Sequence, residues 1–125
     1  MAGITLDAGG LIAVDRNDRR ILVLLARVQE TGARVTVPAT ALAQAIRQPE
    51  RQARLSRLVR QPNTDVVVLD RVDATNVGRL LAASATTDIV DAHVVICARR
   101  TRQPVITSDA DDLRALDPTI KLVEI

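Results

Sequence analysis

Phenylalanine, tyrosine and tryptophan are absent from the 125 residues of this chain, and cysteine, histidine and lysine occur once each. Without aromatic rings there is no platform on which unpaired bases could stack. Single-strand recognition of the kind used by RRM or OB folds is therefore not expected. The lone Cys97 forbids an internal disulfide and suits a reducing compartment; its place in an apolar run reads as a small core residue. The lone His93 argues against histidine general-base chemistry. The sequence also lacks a G-x-S-x-G elbow, a Walker-type loop and paired cysteines, which excludes serine-triad hydrolysis, P-loop nucleotide hydrolysis and thiolate zinc sites. No apolar stretch reaches the roughly 18 to 20 residues that span a bilayer, and MAGITLDAGG has neither the basic start nor the apolar middle of a signal peptide. The expectation is a cytoplasmic protein with no membrane partner.

What remains is a globular balance: 47% hydrophobic and 26% charged residues. At this length residues 1–125 form one domain with a real core. Sixteen arginines and Lys121 face twelve aspartates and three glutamates, for a net charge of +2. The preference for arginine permits contact with phosphate or carboxylate, because its rigid fork suits both.

Short apolar or β-branched runs occur at 4–6 (ITL), 34–37 (RVTV), 65–69 (DVVVL) and 104–107 (PVIT), and IKLVEI closes the chain. Helical patterns fill roughly 17–32, 39–47, 50–60, 71–84 and 88–101, with a short one after Asp109. Gly9-Gly10 is read as a break after the first strand. Gly32 ends the long helix, Pro49 begins another, and Pro62-Asn63 turns into DVVVL. Strands alternating with helices predict a single three-layer α/β/α domain with a mainly parallel sheet, its apolar strands buried on both sides.

In open parallel sheets, ligands bind beyond the carboxyl ends of the strands, where strand order reverses. ITLD and PVITSD put Asp7 and Asp109 at that edge, and they converge if the two strands are neighbours. In TDIVDAHVVICARR, Asp91 lies within an apolar helix and Asp88 one turn before it. A buried carboxylate must be paired, neutralised or bound to a cation. Three or four convergent acids call for a hard divalent ion, Mg²⁺ or Mn²⁺, and such a site suits phosphodiester hydrolysis. Each acid also has a structural reading: Asp88 and Asp109 as helix caps, Asp7 as a turn residue. Asp91, away from helix ends and turns, is the least readily explained in that way.

LDAGGLIA, VPATALAQAIR, DIVDAHVVICARR and PVITSDADDL resemble, in order and spacing, the motifs of PIN domains, in particular the VapC-like toxins of VapBC-type toxin–antitoxin pairs. The resemblance covers nearly the whole chain. It implies an α/β/α fold, an Mg²⁺- or Mn²⁺-dependent endoribonuclease with an RNA substrate, a homodimer, and neutralisation by a cognate antitoxin laid across the cleft. Matched by position, Asp7, Asp91 and Asp109 hold the metal and act in catalysis, with Asp88 and Asp111 or Asp112 close enough to assist. Where the pattern has a glutamate, this chain has Gln44. The lost charge weakens metal binding by about 1 to 3 kcal/mol, or about five- to 150-fold. Gln44 can still offer a carbonyl oxygen to a metal or a water. The alternative is a weakened or inactive PIN-fold binding protein that sequesters antitoxin or RNA.

Arg51, Arg54, Arg57 and Arg60 recur every third residue, opposite Leu55, Leu58 and Val59. Arg54, Arg57 and Arg60 then fan toward solvent, either as a solvated face or as an RNA-binding surface. His93 lies about 200° around the helix from Asp91 and is expected to be a structural or interface residue. DVVVLD resembles the phospho-acceptor strand of response-regulator receivers. That module needs paired acids after the first strand and a lysine after the last; here there is one acid, Asp7, and Lys121 lies inside the last strand.

Overall fold

The computed structural model describes residues 3–125. Five strands, β1 (Gly3–Leu6), β2 (Arg34–Pro38), β3 (Thr64–Val67), β4 (Val105–Thr107) and β5 (Leu122–Glu124), form one sheet in the order β3-β2-β1-β4-β5. All four pairings are parallel. Among the described residues seven α-helices complete a three-layer α/β/α domain: α1 (Ala8–Asp15), α2 (Arg19–Glu30), α3 (Ala39–Ala45), α4 (Ala53–Val59), α5 (Arg71–Ser84), α6 (Ile89–Thr101) and α7 (Ala110–Leu116). From β1 the chain steps outward to β2 and β3, then crosses back to β4 and β5. The switch point falls between β1 and β4, as the positions of Asp7 and Asp109 required.

The central strands are buried: Ile4, Leu6, Val35, Val37, Val105 and Ile106 are at most 1% exposed. They meet Ala92, Val94 and Val95 of α6 and Leu11 of α1 in the core. The expectation that DVVVL is buried on both sides fails. β3 is an edge strand, so Val66 and Val68 stand 41% and 65% exposed. Among the described residues no single helix is long and apolar enough to cross a membrane.

Helix starts follow local capping. Asp18, Asp70 and Asp88 each accept a backbone N–H from their own first turn, satisfying donors that the helix leaves free. Gly32, at φ +69°, follows the end of α2 as expected. The pattern over 50–60 divides into a 3₁₀ turn, Pro49–Arg51, and α4.

One helix was not anticipated. Gly9-Gly10 does not break the chain; both glycines lie inside α1, with Asp7 as its cap. A Cβ at Gly9 would sit 2.2 Å from Ser108 Oγ, and one at Gly10 would sit 2.8 Å from the Ile106 carbonyl oxygen. The glycines let the start of α1 lie directly on the end of β4. Gly78 of α5 is the contrast, since a Cβ there meets nothing within 4 Å. Gly78→Ala is expected to raise stability by about 0.5 to 1 kcal/mol by removing backbone freedom from the unfolded chain, as chemical denaturation would measure.

Candidate acidic cleft at the sheet switch point

The register Leu6↔Ile106 brings the next residues, Asp7 and Thr107, level with each other. Asp7 is only 6% exposed. Its Oδ1 accepts the Gly10 N–H at 2.8 Å, and the Thr107 hydroxyl hydrogen-bonds the same carboxyl. Thr107, fully buried, also accepts the Asp109 N–H at 2.9 Å. One threonine thus ties the first acid to the backbone of the last. Thr107 is the residue that the sequence reading missed. Its fully apolar strand neighbours gave it the look of a core position, and only the pairing of β1 with β4 reveals its role.

The other acids come from α6 and α7. Thr86, Thr87, Asp88, Asp91, Asp112, Ala115 and Leu116 line a cleft of about 250 Å³ between the start of α6 and the length of α7. Burial, followed by the charges of Asp88, Asp7, Asp112 and Asp109, pushes the Asp91 carboxyl up to about 7. Burial also raises Asp7, against the pull of its hydrogen bonds from Thr107 and Gly10. A hydrogen bond to Asp109 raises Asp112. Like charges gathered at one place hold protons that isolated carboxylates would release.

Several candidate positions need correction. Asp91 is not remote from a helix end: α6 starts at Ile89, so Asp91 lies in its first turn and its N–H donates to Asp88 Oδ1 at 3.0 Å. The helix is buried from Ala92 to Ala98, apart from partly covered Ile96, but Asp91 itself is only partly covered. Asp111 points away, with a side chain 95% exposed and 3.3 Å from Arg114. Asp112, one residue further around the helix, faces the acids instead. Gln44 is exposed on α3, and no described contact joins it to the acids. Arg54 and Arg57 line a separate groove of about 280 Å³ against α2, and Arg60 Nε donates to the Ser56 carbonyl at 3.2 Å.

His93 is structural, as expected. It is wholly buried, and its Nδ1 shares a 2.7 Å hydrogen bond with Thr40 Oγ1, linking α6 to α3. Burial lowers its pKa and so keeps the ring neutral at physiological pH. Cys97 is buried and its thiol is pushed up to about 11, which makes it an inert core residue.

The donor chemistry of the cleft fits a hard cation: oxygen ligands, one of them buried, with an excess of negative charge already opposed by raised pKa values. The spacing fits less well. Among the described residues no three Asp, Glu, His or Cys side chains stand close enough together to ligate one ion.

No family model matches the chain, and no curated protein matches it. Solved structures do. VapBC2 from Rickettsia felis, bound to a DNA fragment from its promoter, aligns over 98% of this chain and 98% of that chain at TM-score 0.67 and 10% identity. FitAcB from Neisseria gonorrhoeae aligns over 97% and 96% at TM-score 0.68 and 16% identity. FitAB bound to an IR36 DNA fragment aligns over 97% and 94% at TM-score 0.65 and 14% identity. The chain shares their fold. At such identities the likeness extends to the fold and no further. The resemblance to PIN domains and VapC-like toxins is corrected accordingly. The matching chains come from structures of VapBC and FitAB assemblies, and nothing in the match assigns this chain to the toxin of such a pair.

Proposed function

We propose that this chain is a metal-dependent phosphodiesterase that cuts RNA and works within a toxin–antitoxin pair. The reading is carried by one observation: acids from three places in the chain, Asp7 after β1, Asp91 in the first turn of α6, and Asp109 and Asp112 at the start of α7, gather near the switch point of a parallel sheet. The pairing with a second protein draws on the shared fold with chains of the VapBC2 and FitAB structures. A homodimer and a cognate partner protein belong to the same proposal.

Asp7, Asp91 and Asp109 are the oxygen donors that would have to draw together from their open spacing to hold Mg²⁺ or Mn²⁺, with Asp88 at the rim. A bound divalent cation supplies positive charge to phosphate oxygens and lowers the pKa of a water. The chain's own residues supply the arrangement. Gly10 N–H and Thr107 fix the Asp7 carboxyl, so its direction is set before a substrate arrives. The Asp88 cap fixes the first turn of α6 and hence the place of Asp91. Asp112, exposed and hydrogen-bonded to Asp109, would add to the concentration of acid groups that a cation there would relieve.

The second reading is a chain that uses this surface to hold RNA or a partner without cutting. It draws on the open spacing of the acids and on the exposed Gln44. Purified protein incubated with mixed RNA across Mn²⁺ and Mg²⁺ titrations separates the two, with Asp7→Asn and Gln44→Glu alongside. Cleavage that rises with metal and disappears in Asp7→Asn is the expected result. Binding without cleavage in the native chain would overturn the enzymatic reading in favour of the second.

A further inference from the structure

The surface formed by α1, the end of α3 and the turn before α4 carries arginines that no carboxylate claims. Arg16, Arg47 and Arg51, with Ile12, Gln48 and Gln52, line a cavity of about 280 Å³ in which Asp15 is the single acid bordering on Glu-free walls. Arg20, Arg34, Arg99, Arg100 and Arg114 each pair with a carboxylate elsewhere. Arg16, Arg47 and Arg51 form no such pair among the described residues.

The wall of this cavity is organised from within. Gln52, 8% exposed, accepts the Arg47 and Gln48 N–H groups at 2.9 and 3.1 Å and donates to the Ala45 carbonyl at 2.9 Å. The backbone that carries Arg47 is therefore held while its guanidinium stays free. Arg54 reaches the rim as well, donating to the Asp15 carbonyl at 3.4 Å.

Helix α1 connects this cavity to the acidic cleft. It begins at the Asp7 cap and ends beside Arg16. At 1.5 Å per residue, Ile12 and Arg16 lie about 8 and 14 Å along its axis from Asp7. A polynucleotide with one phosphodiester at the acids would carry its neighbouring phosphates over this stretch. Planar guanidinium forks are suited to such phosphates, and the lack of aromatic side chains leaves the backbone as the part of RNA that this surface can grip.

We propose that Arg16, Arg47 and Arg51 form a phosphate-binding subsite for the RNA strand flanking the bond that is cut. This rests on the RNA-cleaving reading above and names where the rest of the substrate lies. The double variant Arg16→Gln/Arg47→Gln tests it, with Arg79→Gln as a change of exposed charge on α5, remote in sequence from the cavity. Fluorescence anisotropy in chelator would follow labelled RNAs of three and ten nucleotides, and KM would be read from cleavage of the ten-mer in Mn²⁺.

The double variant is expected to bind the ten-mer about tenfold more weakly and to raise KM similarly. Its slope of log affinity against log salt should fall by about 1.4, since each lost phosphate contact on a single strand contributes about 0.7. The three-mer and Arg79→Gln should show little change. If the wild type cleaves RNA while the double variant keeps its KM and salt slope, the subsite is overturned and the nuclease stands. If the wild type neither binds nor cleaves RNA, the nuclease reading fails and the subsite with it. Displacement of RNA by polyglutamate at matched charge would overturn phosphate as the ligand and identify an acidic protein segment instead.

Discussion

Asp91→Asn is expected to abolish metal-dependent RNA cleavage, by about 100-fold or more, while making the protein more stable at pH 8. The two effects share one cause. In the folded protein the Asp91 carboxyl is raised from 3.8 to about 7 by burial and by Asp88, Asp7, Asp112 and Asp109. A group raised on folding favours the native state while protonated, so its contribution is complete below pH 3.8 and is lost as pH climbs through 7. Above pH 7 the native cleft holds a charge that the unfolded chain would carry more easily.

The shift corresponds to roughly 4 kcal/mol at full strength. Asp91 is partly open to water, which screens the effect, and about 2 kcal/mol is the expected gain for the neutral amide at pH 8. At pH 4 the same substitution should change stability little. Urea denaturation of both proteins at the two pH values measures this, and cleavage in Mn²⁺ at pH 8 measures the loss of a charge-bearing ligand. A stability gain without loss of cleavage would show that the charge is strained but idle, and the role assigned to Asp91 would be withdrawn.

Gly10→Ala is expected to act in the opposite direction to Gly78→Ala, although both place alanine within a helix. Alanine at either position should bring about 0.5 to 1 kcal/mol of reduced unfolded-state freedom. At Gly10 the new methyl group would lie 2.8 Å from the Ile106 carbonyl oxygen, a backbone atom of a central strand that cannot swing away. Forcing α1 off β4 costs about 1 to 3 kcal/mol or more in a packed interior. It also disturbs the 2.8 Å hydrogen bond from Gly10 N–H to Asp7. A net loss of about 2 kcal/mol, or roughly 5 to 10 °C in Tm, is expected in thermal denaturation. Weaker cleavage should accompany it, because the carboxyl that loses its anchor is the most buried acid of the cleft. A Gly10→Ala protein as stable as the wild type would mean that α1 rides higher on the sheet than its glycines indicate.

These cases show where sequence reasoning succeeded. Alternating strand and helix patterns depend on local periodicity, so the α/β class and the places of β1, β2, β4, α2, α5 and α6 were legible within a few residues. Asp7 and Asp109 could be placed at one sheet edge because each follows a short strand within two residues, and β1 does lie beside β4. Cys97 was legible as a buried core residue for the same local reason, while His93, read as structural or interface, proves to be wholly buried.

The failures are equally physical. Gly9-Gly10 looked like a chain break because glycine weakens isolated helices, whereas here it is needed for contact with β4. Asp111 and Asp112 are adjacent and both exposed, and only the seating of α7 turns the second toward the acids. The motif resemblance to a toxin family did not survive comparison, since identities of 10% to 16% accompany a shared fold without a shared family model.

By itself the sequence determined the alternation of strands and helices, the Asp88 cap, the absence of stacking aromatics and the supply of acids and arginines, all properties of neighbouring residues or of composition. The tertiary structure alone decided which of those charges meet. Asp91 owes its raised pKa first to burial and then to Asp88, Asp7, Asp112 and Asp109, most of them far from it along the chain, and both causes exist only once β1, α6 and α7 are packed together.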